Sequence, residues 1–288
     1  MLKLRFVNFF RQIAMAFLVL LGANSARAEV AQVEALANWE NGWSYSEYSN
    51  TGGFNWLTDF SHARRMCYGN GKLYVVDAAS KAINVIDART GAYLSSLNVN
   101  GVSGGAIALM DVKYVNGYVV ASNLTTGLEQ AIKVYYWEND EAAPVELLNT
   151  TSKEGVARVN DNFGIIGDPK GDAYIYFYGA STQKVLRYKV TGGVCDPVPE
   201  YTTVAKAGGV SPRVVPIDAT YFWVDDAASD PIKYAWVSGG AATKVDEIGS
   251  TVSYKGTDVK PFTMSNGEEY AIVADFPEYS TYKTVLFR

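Results

Sequence analysis

The 288 residues carry 25 Lys and Arg against 30 Asp and Glu, a formal charge of −5, and this acidic balance argues against a nucleic-acid partner. One His and two Cys leave no ordinary His/Cys set for zinc or copper, so no metal is expected. The chain is long enough to bury a sizeable core and no Pro/Ser-rich linker divides it, which predicts one folded domain.

The first element is a targeting segment. Lys3, Arg5 and Arg11 form a basic start, residues 13–21 a short apolar core, and Ala26-Arg27-Ala28 a small-residue cleavage site. Together they read as a secretory signal peptide over residues 1–28, cleaved after Ala28. The apolar core is well short of the roughly 20 residues a membrane span needs. The mature chain is therefore expected to be secreted or periplasmic, with no transmembrane segment. Removing the peptide takes away four basic residues and no acidic one, leaving 21 against 30 and a charge of −9. Residues 29–61 follow as an N-terminal strap, crowded with Trp39, Trp43, Tyr45, Tyr48, Phe54 and Trp56.

From residue 62 the sequence repeats. In GKLYVVDAASKAINVIDARTGAYLSSL, residues 71–97, β-rich runs at 74–77 and 83–86 flank a small polar turn. A third run at 92–97 follows Asp87-Ala88-Arg89-Thr90-Gly91, where Asp offers side-chain bonds to the backbone and Gly a positive φ. With an innermost strand upstream at 62–68, the unit is a four-stranded meander, the blade of a β-propeller. An aromatic-led strand then recurs, its leading residues Tyr74, Tyr118, Tyr174, Tyr221 and Tyr270 spaced 44, 56, 47 and 49 apart. That is a blade-sized period. Gly71, Gly117, Gly171 and Gly267 precede it in four of the five units and mark hairpins.

Third strands are expected at 131–137, 184–190, 232–237 and 281–287, and fourth strands at 144–148, 199–204 and 243–248. The last unit has no fourth strand, leaving an edge that a folded protein must cover. Residues 43–48 (Trp-Ser-Tyr-Ser-Glu-Tyr) alternate suitably to fill it. The expected fold is all-β, a β-propeller of about five four-stranded blades over residues 62–288, with a truncated or partial six- to seven-bladed propeller as the alternative. Cys67 then falls on an innermost strand and Cys195 in a peripheral turn, too far apart for a disulfide.

The first unit resembles the repeats of bacterial YVTN-type and quinoprotein-like propellers, with I-x-V-I-D-x-x-T-G, here Ile83 to Gly91, as the shared core. The full arrangement resembles secreted bacterial propellers whose domain is of unknown function. The resemblance implies the propeller fold and an extracytoplasmic setting, and it transfers no catalytic residue. The tryptophan-docking signature of quinoprotein repeats is half present, because Ala92-Tyr93 follows Gly91, and no cofactor is expected.

Aligning the starts of the innermost strands gives Ala63-Arg64, Ala108-Leu109, Ala157-Arg158, Pro212-Arg213 and Pro261-Phe262, so three of five units carry Arg at one place. Arg64, Arg158 and Arg213, with Asp111 nearby, would suit an anion such as a carboxylate, phosphate or sulfated sugar. The bland alternative pairs each Arg with a neighbour such as Asp111 or Asp161. Carboxylate chemistry on a sugar would need two of Asp111, Asp161, Asp218, Asp225 and Asp226 to converge, whereas such residues more often cap turns. A calcium set of Asn160, Asp161, Asn162, Asp168 and Asp172 matches no calcium-loop pattern. A Ser/His/Asp triad would have to use the single His62, so nucleophilic hydrolysis is not expected. The aromatic residues are expected mainly in the core. The function expected is a secreted or periplasmic binding or scaffold protein for a carbohydrate or small anionic ligand, or for a cell-envelope protein. The alternative is a carbohydrate-active enzyme, a glycoside hydrolase or lyase.

Overall fold

The computed structural model describes residues 56–57, 63–206, 208–209, 211–226, 229–248, 259–263, 268–278 and 281–287. They form strands and turns only, arranged as consecutive antiparallel meanders. The first sheet is β1 (Ala63–Gly69), β2 (Lys72–Asp77), β3 (Ala82–Asp87) and β4 (Tyr93–Ser96). The second is β5 (Ile107–Val115), β6 (Tyr118–Leu124), β7 (Ile132–Trp137) and β8 (Val145–Thr150). The third is β9 (Val159–Gly167), β10 (Ala173–Gly179) and β11 (Lys184–Thr191), with β12 (Val194–Cys195) and β13 (Glu200–Thr203) both pairing β11. The fourth is β14 (Arg213–Pro216), β15 (Tyr221–Asp226), β16 (Ser229–Ala235) and β17 (Thr243–Glu247). The last described sheet is β18 (Val259–Thr263), β19 (Glu269–Glu278) and β20 (Thr281–Phe287).

Local chemistry explains the turns. Asn70-Gly71 and Asn116-Gly117 all have positive φ, from 47° to 90°, which gives the two-residue hairpins joining β1 to β2 and β5 to β6. Asp87 Oδ1 accepts hydrogen bonds from Arg89 N (3.0 Å), Thr90 N (2.7 Å) and Thr90 Oγ1 (2.8 Å), so the D-x-x-T-G signature is a turn device. Asp77 does the same for Ala79 N and Ser80 N, and Asp218 for Thr220 N and Tyr221 N.

The period of 2 along each second strand decides how sheets stack. Val119 and Ala121 on β6 pack with Tyr74, Val76, Ile83 and Val85 of the first sheet, while Val120 between them packs with Phe163, Ile175 and Phe177 of the third. On β10, Tyr176 and Tyr178 turn the other way and meet Val214, Phe222 and Val224 of the fourth. Trp223 in turn meets Val259 and Ala271 of the last. Each central sheet is thus apolar on both faces, and the first strands β1, β5, β9, β14 and β18 lie side by side in that order. Sheets stacked face to face about adjacent inner strands are the arrangement of a β-propeller.

Many of the described tyrosines serve this packing. Tyr74, Tyr176, Tyr188 and Tyr234 are fully buried, and Tyr135-Tyr136-Trp137 on β7 is buried throughout. Buried phenols need partners, and they find them: Tyr188 donates to Ser152 O (2.6 Å), Tyr178 to Lys206 O (2.6 Å) and Tyr74 to Asp140 Oδ1 (2.9 Å). Cys67 on β1 and Cys195 on β12 are free thiols. Burial pushes both up to about 12, in Cys67 against the opposing charge of Lys113. The signal-peptide region and the 43–48 strand lie outside the described residues.

Candidate functional site at the starts of the inner strands

Each second strand runs antiparallel to its inner strand, so its last residues return to the end where the inner strand begins. Asp77 stands opposite Ala63, Ser122 opposite Asp111, and Asp225 opposite Arg213. Five carboxylates on or beside these strands are buried, Asp77, Asp111, Asp161, Asp225 and Asp226, none more than 2% exposed. Buried charge is tolerated only when it is bonded.

Asp111 accepts from Val112 N (2.8 Å) through Oδ1 and, through Oδ2, from Phe163 N of the next sheet (3.0 Å). Lys113 Nζ lies 2.9 Å from the same Oδ2. Asp161 is gripped by Arg158, whose Nε donates to Oδ2 at 2.8 Å and whose Nη2 donates to Oδ1. This two-pronged contact raises the Arg158 guanidinium above its usual value, against burial. Asp226 Oδ2 accepts from Gly209 N (2.9 Å) and has Lys206 at 3.8 Å. Asp225 Oδ1 lies 3.7 Å from Arg213 Nη1.

Of the four residues singled out from sequence, Arg64, Arg158 and Arg213 stand at this end and Asp111 halfway along β5, in unequal roles. Arg64 is exposed on β1. Arg158 precedes β9 and keeps 45% of its side chain exposed while holding Asp161. Arg213 opens β14 and is buried, yet its Nε and Nη1 make no hydrogen bond. Asp111 is fully enclosed. The alignment shifts in two units. Leu109 is buried in the core between the first two sheets, and Phe262 sits at the far end of β18, opposite Tyr270 and stacked on it at 5.7 Å.

Two further residues belong to the cluster. Arg65 reaches from β1 to Asp161 O at 3.4 Å, so one side chain connects the first and third sheets. Lys113 was legible as a charge inside an otherwise apolar run; Arg65 was hidden beside Arg64, because only the strand's inward or outward phase distinguishes them. Asn160, with φ 81°, donates through Nδ2 to Ser122 Oγ (2.6 Å) and Asn123 O, while its Oδ1 and that of Asn162 are buried without a hydrogen bond. A non-glycine residue in that region is strained, and strain of this kind collects at functional ends of folds. The calcium set is dispersed, since Asp168 and Asp172 flank the hairpin at the opposite end of β9, where Asp168 N bonds Asp172 O. Among the described residues no three His, Cys, Asp or Glu side chains gather to hold a metal.

Residues 37–285 match the family model of a domain of unknown function, DUF4623. No curated protein matches the chain. Among solved structures, a DUF4623 family protein from Bacteroides eggerthii aligns with a TM-score of 0.61 and 20% identity, over 74% of this chain and 50% of that one. The aligned region therefore spans half the length of that relative. A GH43_1 enzyme from Xanthomonas citri complexed with xylose aligns at 0.45 and 11% identity, covering 78% and 85% of the two chains. A putative 6-phosphogluconolactonase from Bacteroides uniformis aligns at 0.40 and 17%, covering 76% and 69%. The first likeness bears on the fold; the other two are too distant in shape to bear on fold or activity.

Proposed function

We propose that this chain, which belongs to the DUF4623 family, is a five-bladed β-propeller working outside the cytoplasm as a binding module, with an anionic ligand, small or carbohydrate, held at the inner-strand starts. One observation carries the reading: Asp111 and Asp161 are committed to internal bonds, while Arg158 keeps 45% of its side chain exposed beyond the carboxylate it holds. Asp111 spends its oxygens on two backbone amides and Lys113, and Asp161 on Arg158. A hydrolase needs two carboxylates that exchange protons or bonds with a sugar, and a fully enclosed, bonded carboxylate does neither. Arg158 by contrast is half-exposed beyond its partner, and buried Arg213 has a hydrogen-bond-free Nε beside an Nη1 that lies 3.7 Å from Asp225. Guanidinium forks of this kind suit carboxylate, phosphate or sulfate oxygens.

The test is a thermal-shift panel on the full chain with citrate, phosphate, uronic-acid oligosaccharides and sulfated oligosaccharides, alongside neutral xylo-oligosaccharides, each repeated on Arg158→Ala and Arg213→Lys. A ligand at about a hundred times its Kd adds about 2.7 kcal/mol. In a domain of this size that raises Tm by roughly 5–10 °C. The expected result is stabilisation by an anionic member that Arg158→Ala abolishes. Stabilisation by neutral sugars alone, or release of reducing sugar that Asp111→Asn abolishes, would overturn the reading in favour of a carbohydrate-active enzyme.

A further inference from the structure

Two arginines reach from one sheet to another on very different terms. Arg187 of β11 is buried and fully occupied. It donates through Nε and Nη2 to Glu200 and through Nη1 to Ala219 O at 2.7 Å, and its guanidinium lies over the Trp236 and Tyr174 rings at 4.1 and 4.5 Å. Charge, donors and planar faces are all met, as a structural arginine requires. Arg65 of β1 is half-buried, yet its one hydrogen bond runs from Nη2 to Asp161 O at 3.4 Å, and among the described residues it meets no carboxylate. A guanidinium carries five N–H donors, so four of them are left without a protein acceptor there. The charges around it tell the same story. Lys113 lies 2.9 Å from Asp111, and Arg158 holds Asp161, so each of these pairs cancels and Arg65 remains as one positive charge over.

We infer that Arg65 is the second arm of the anion site, and that the group it takes together with Arg158 is a single carboxylate; the inference rests on the anion-binding reading above. Arg65 reaches the carbonyl of the same residue whose carboxylate Arg158 holds, so two guanidiniums from different sheets converge on Asp161. The inner strand β5 lies between β1 and β9. The Arg65 side chain therefore passes the second sheet to reach the third. Arg158 spends Nε and Nη2 on Asp161 and keeps Nη1 for a ligand, on a side chain that is 45% exposed. A carboxylate offers two coplanar oxygens, one for each guanidinium, and its one negative charge matches the one positive charge left over. A phosphate dianion would bring a second negative charge close to Asp111 and Asp161 with nothing to cancel it. Arg65 gives up little in turning to such a ligand, because a bond of 3.4 Å to a neutral carbonyl is weak beside a charge-assisted one.

Titration calorimetry on the full chain tests this with trigalacturonate, its methyl ester and inorganic phosphate. The proteins compared are wild type, Arg65→Met, Arg65→Lys, Arg158→Ala and Arg89→Met. Arg89 lies in the exposed turn after β3, at the other end of the strands, so its loss removes the same charge from a distant place. Trigalacturonate should bind wild type more tightly than phosphate does, and esterification should abolish its binding. Arg65→Met should weaken binding about tenfold or more, the worth of one charge-assisted hydrogen bond. Arg65→Lys, which keeps the charge and loses the fork, should fall between, with Arg89→Met within about twofold of wild type. Without ligand, Arg65→Met should melt within about 2 °C of wild type. A loss of affinity in Arg65→Met no greater than in Arg89→Met, while Arg158→Ala abolishes binding, would overturn the second arm and leave the anion site standing. A ligand-free Tm lowered by more than about 5 °C would make Arg65 a structural tie between sheets instead. Tighter binding of phosphate would overturn the carboxylate assignment, and no binding of any probe to wild type would overturn the site and its second arm together.

Discussion

At the scale of single residues, Asp111 shows how a buried carboxylate holds two sheets together. Its Oδ2 bonds Phe163 N across the sheet boundary, and its charge is met by Lys113. Asp111→Asn keeps the shape but replaces one acceptor oxygen by an N–H donor and strands the Lys113 charge. Breaking a buried pair in this way costs about 3 kcal/mol. The expected fall in Tm is roughly 6–12 °C, read by calorimetry; a fall below about 2 °C would show that the carboxylate does not bear on the sheet boundary. Asp87 makes a second, exposed case. The Thr90 hydroxyl, then the Thr90 amide, hold its carboxyl below the usual carboxylate range. The folded value is depressed, so the turn stabilises the protein above the unfolded value and that contribution is lost as pH falls through the folded one. Thr90→Val removes the hydroxyl. Its Tm deficit against wild type should narrow between about pH 5 and about pH 2, and a deficit constant over that range would mean that the carboxylate charge is not involved.

At the scale of elements, inner strands approach closely where side chains are absent. A Cβ on Gly164 of β9 would overlap Pro216 Cδ and crowd Val214 O of β14, and one on Gly69 of β1 would fall within the Tyr114 ring of β5. Backbone that cannot yield makes such overpacking cost about 1–3 kcal/mol or more. Gly164→Ala should therefore lower the urea midpoint, whereas Gly101→Ala, which meets no atom within 4 Å though its φ is 87°, pays only for backbone strain. Equal losses in the two variants would remove the close-approach argument. The strands themselves were legible: runs at 74–77, 83–86, 184–190 and 281–287 fall within or beside β2, β3, β11 and β20, because alternation and turn residues are local signals. The two-residue ribbon β12 carries no such signal and went unforeseen. Register is less visible still. The inner-strand alignment matched Phe262 with Arg213, yet pairing sets Val259 opposite Val273 and moves Phe262 to the far end. Which of Arg64 and Arg65 reaches Asp161 depends on the same one-residue phase.

At the scale of the whole molecule, each seam between sheets contributes according to the apolar surface it buries. Between the second and third sheets the core includes Phe163, Ile175, Phe177, Leu186 and Tyr188, all fully buried, and rings pack edge to face, as Phe177 does on Tyr188 at 5.7 Å. Between the fourth and last sheets the described core comprises Trp223, Ile248, Val259 and Ala271. Apolar burial scales with area, so the volume removed at each seam sets the loss expected, and sheets can also open locally below the free energy of the whole. Phe177→Ala should then weaken the main cooperative transition by about 3–5 kcal/mol. Val259→Ala should act chiefly on local opening, speeding exchange of β19 and β20 while the main transition moves little. If instead both variants lower one transition in proportion to the volume removed, the ring unfolds as a single unit and the last sheet is held as firmly as the middle ones. That outcome would place as much of the molecule's stability on the seam between the fourth and last sheets as on its aromatic centre.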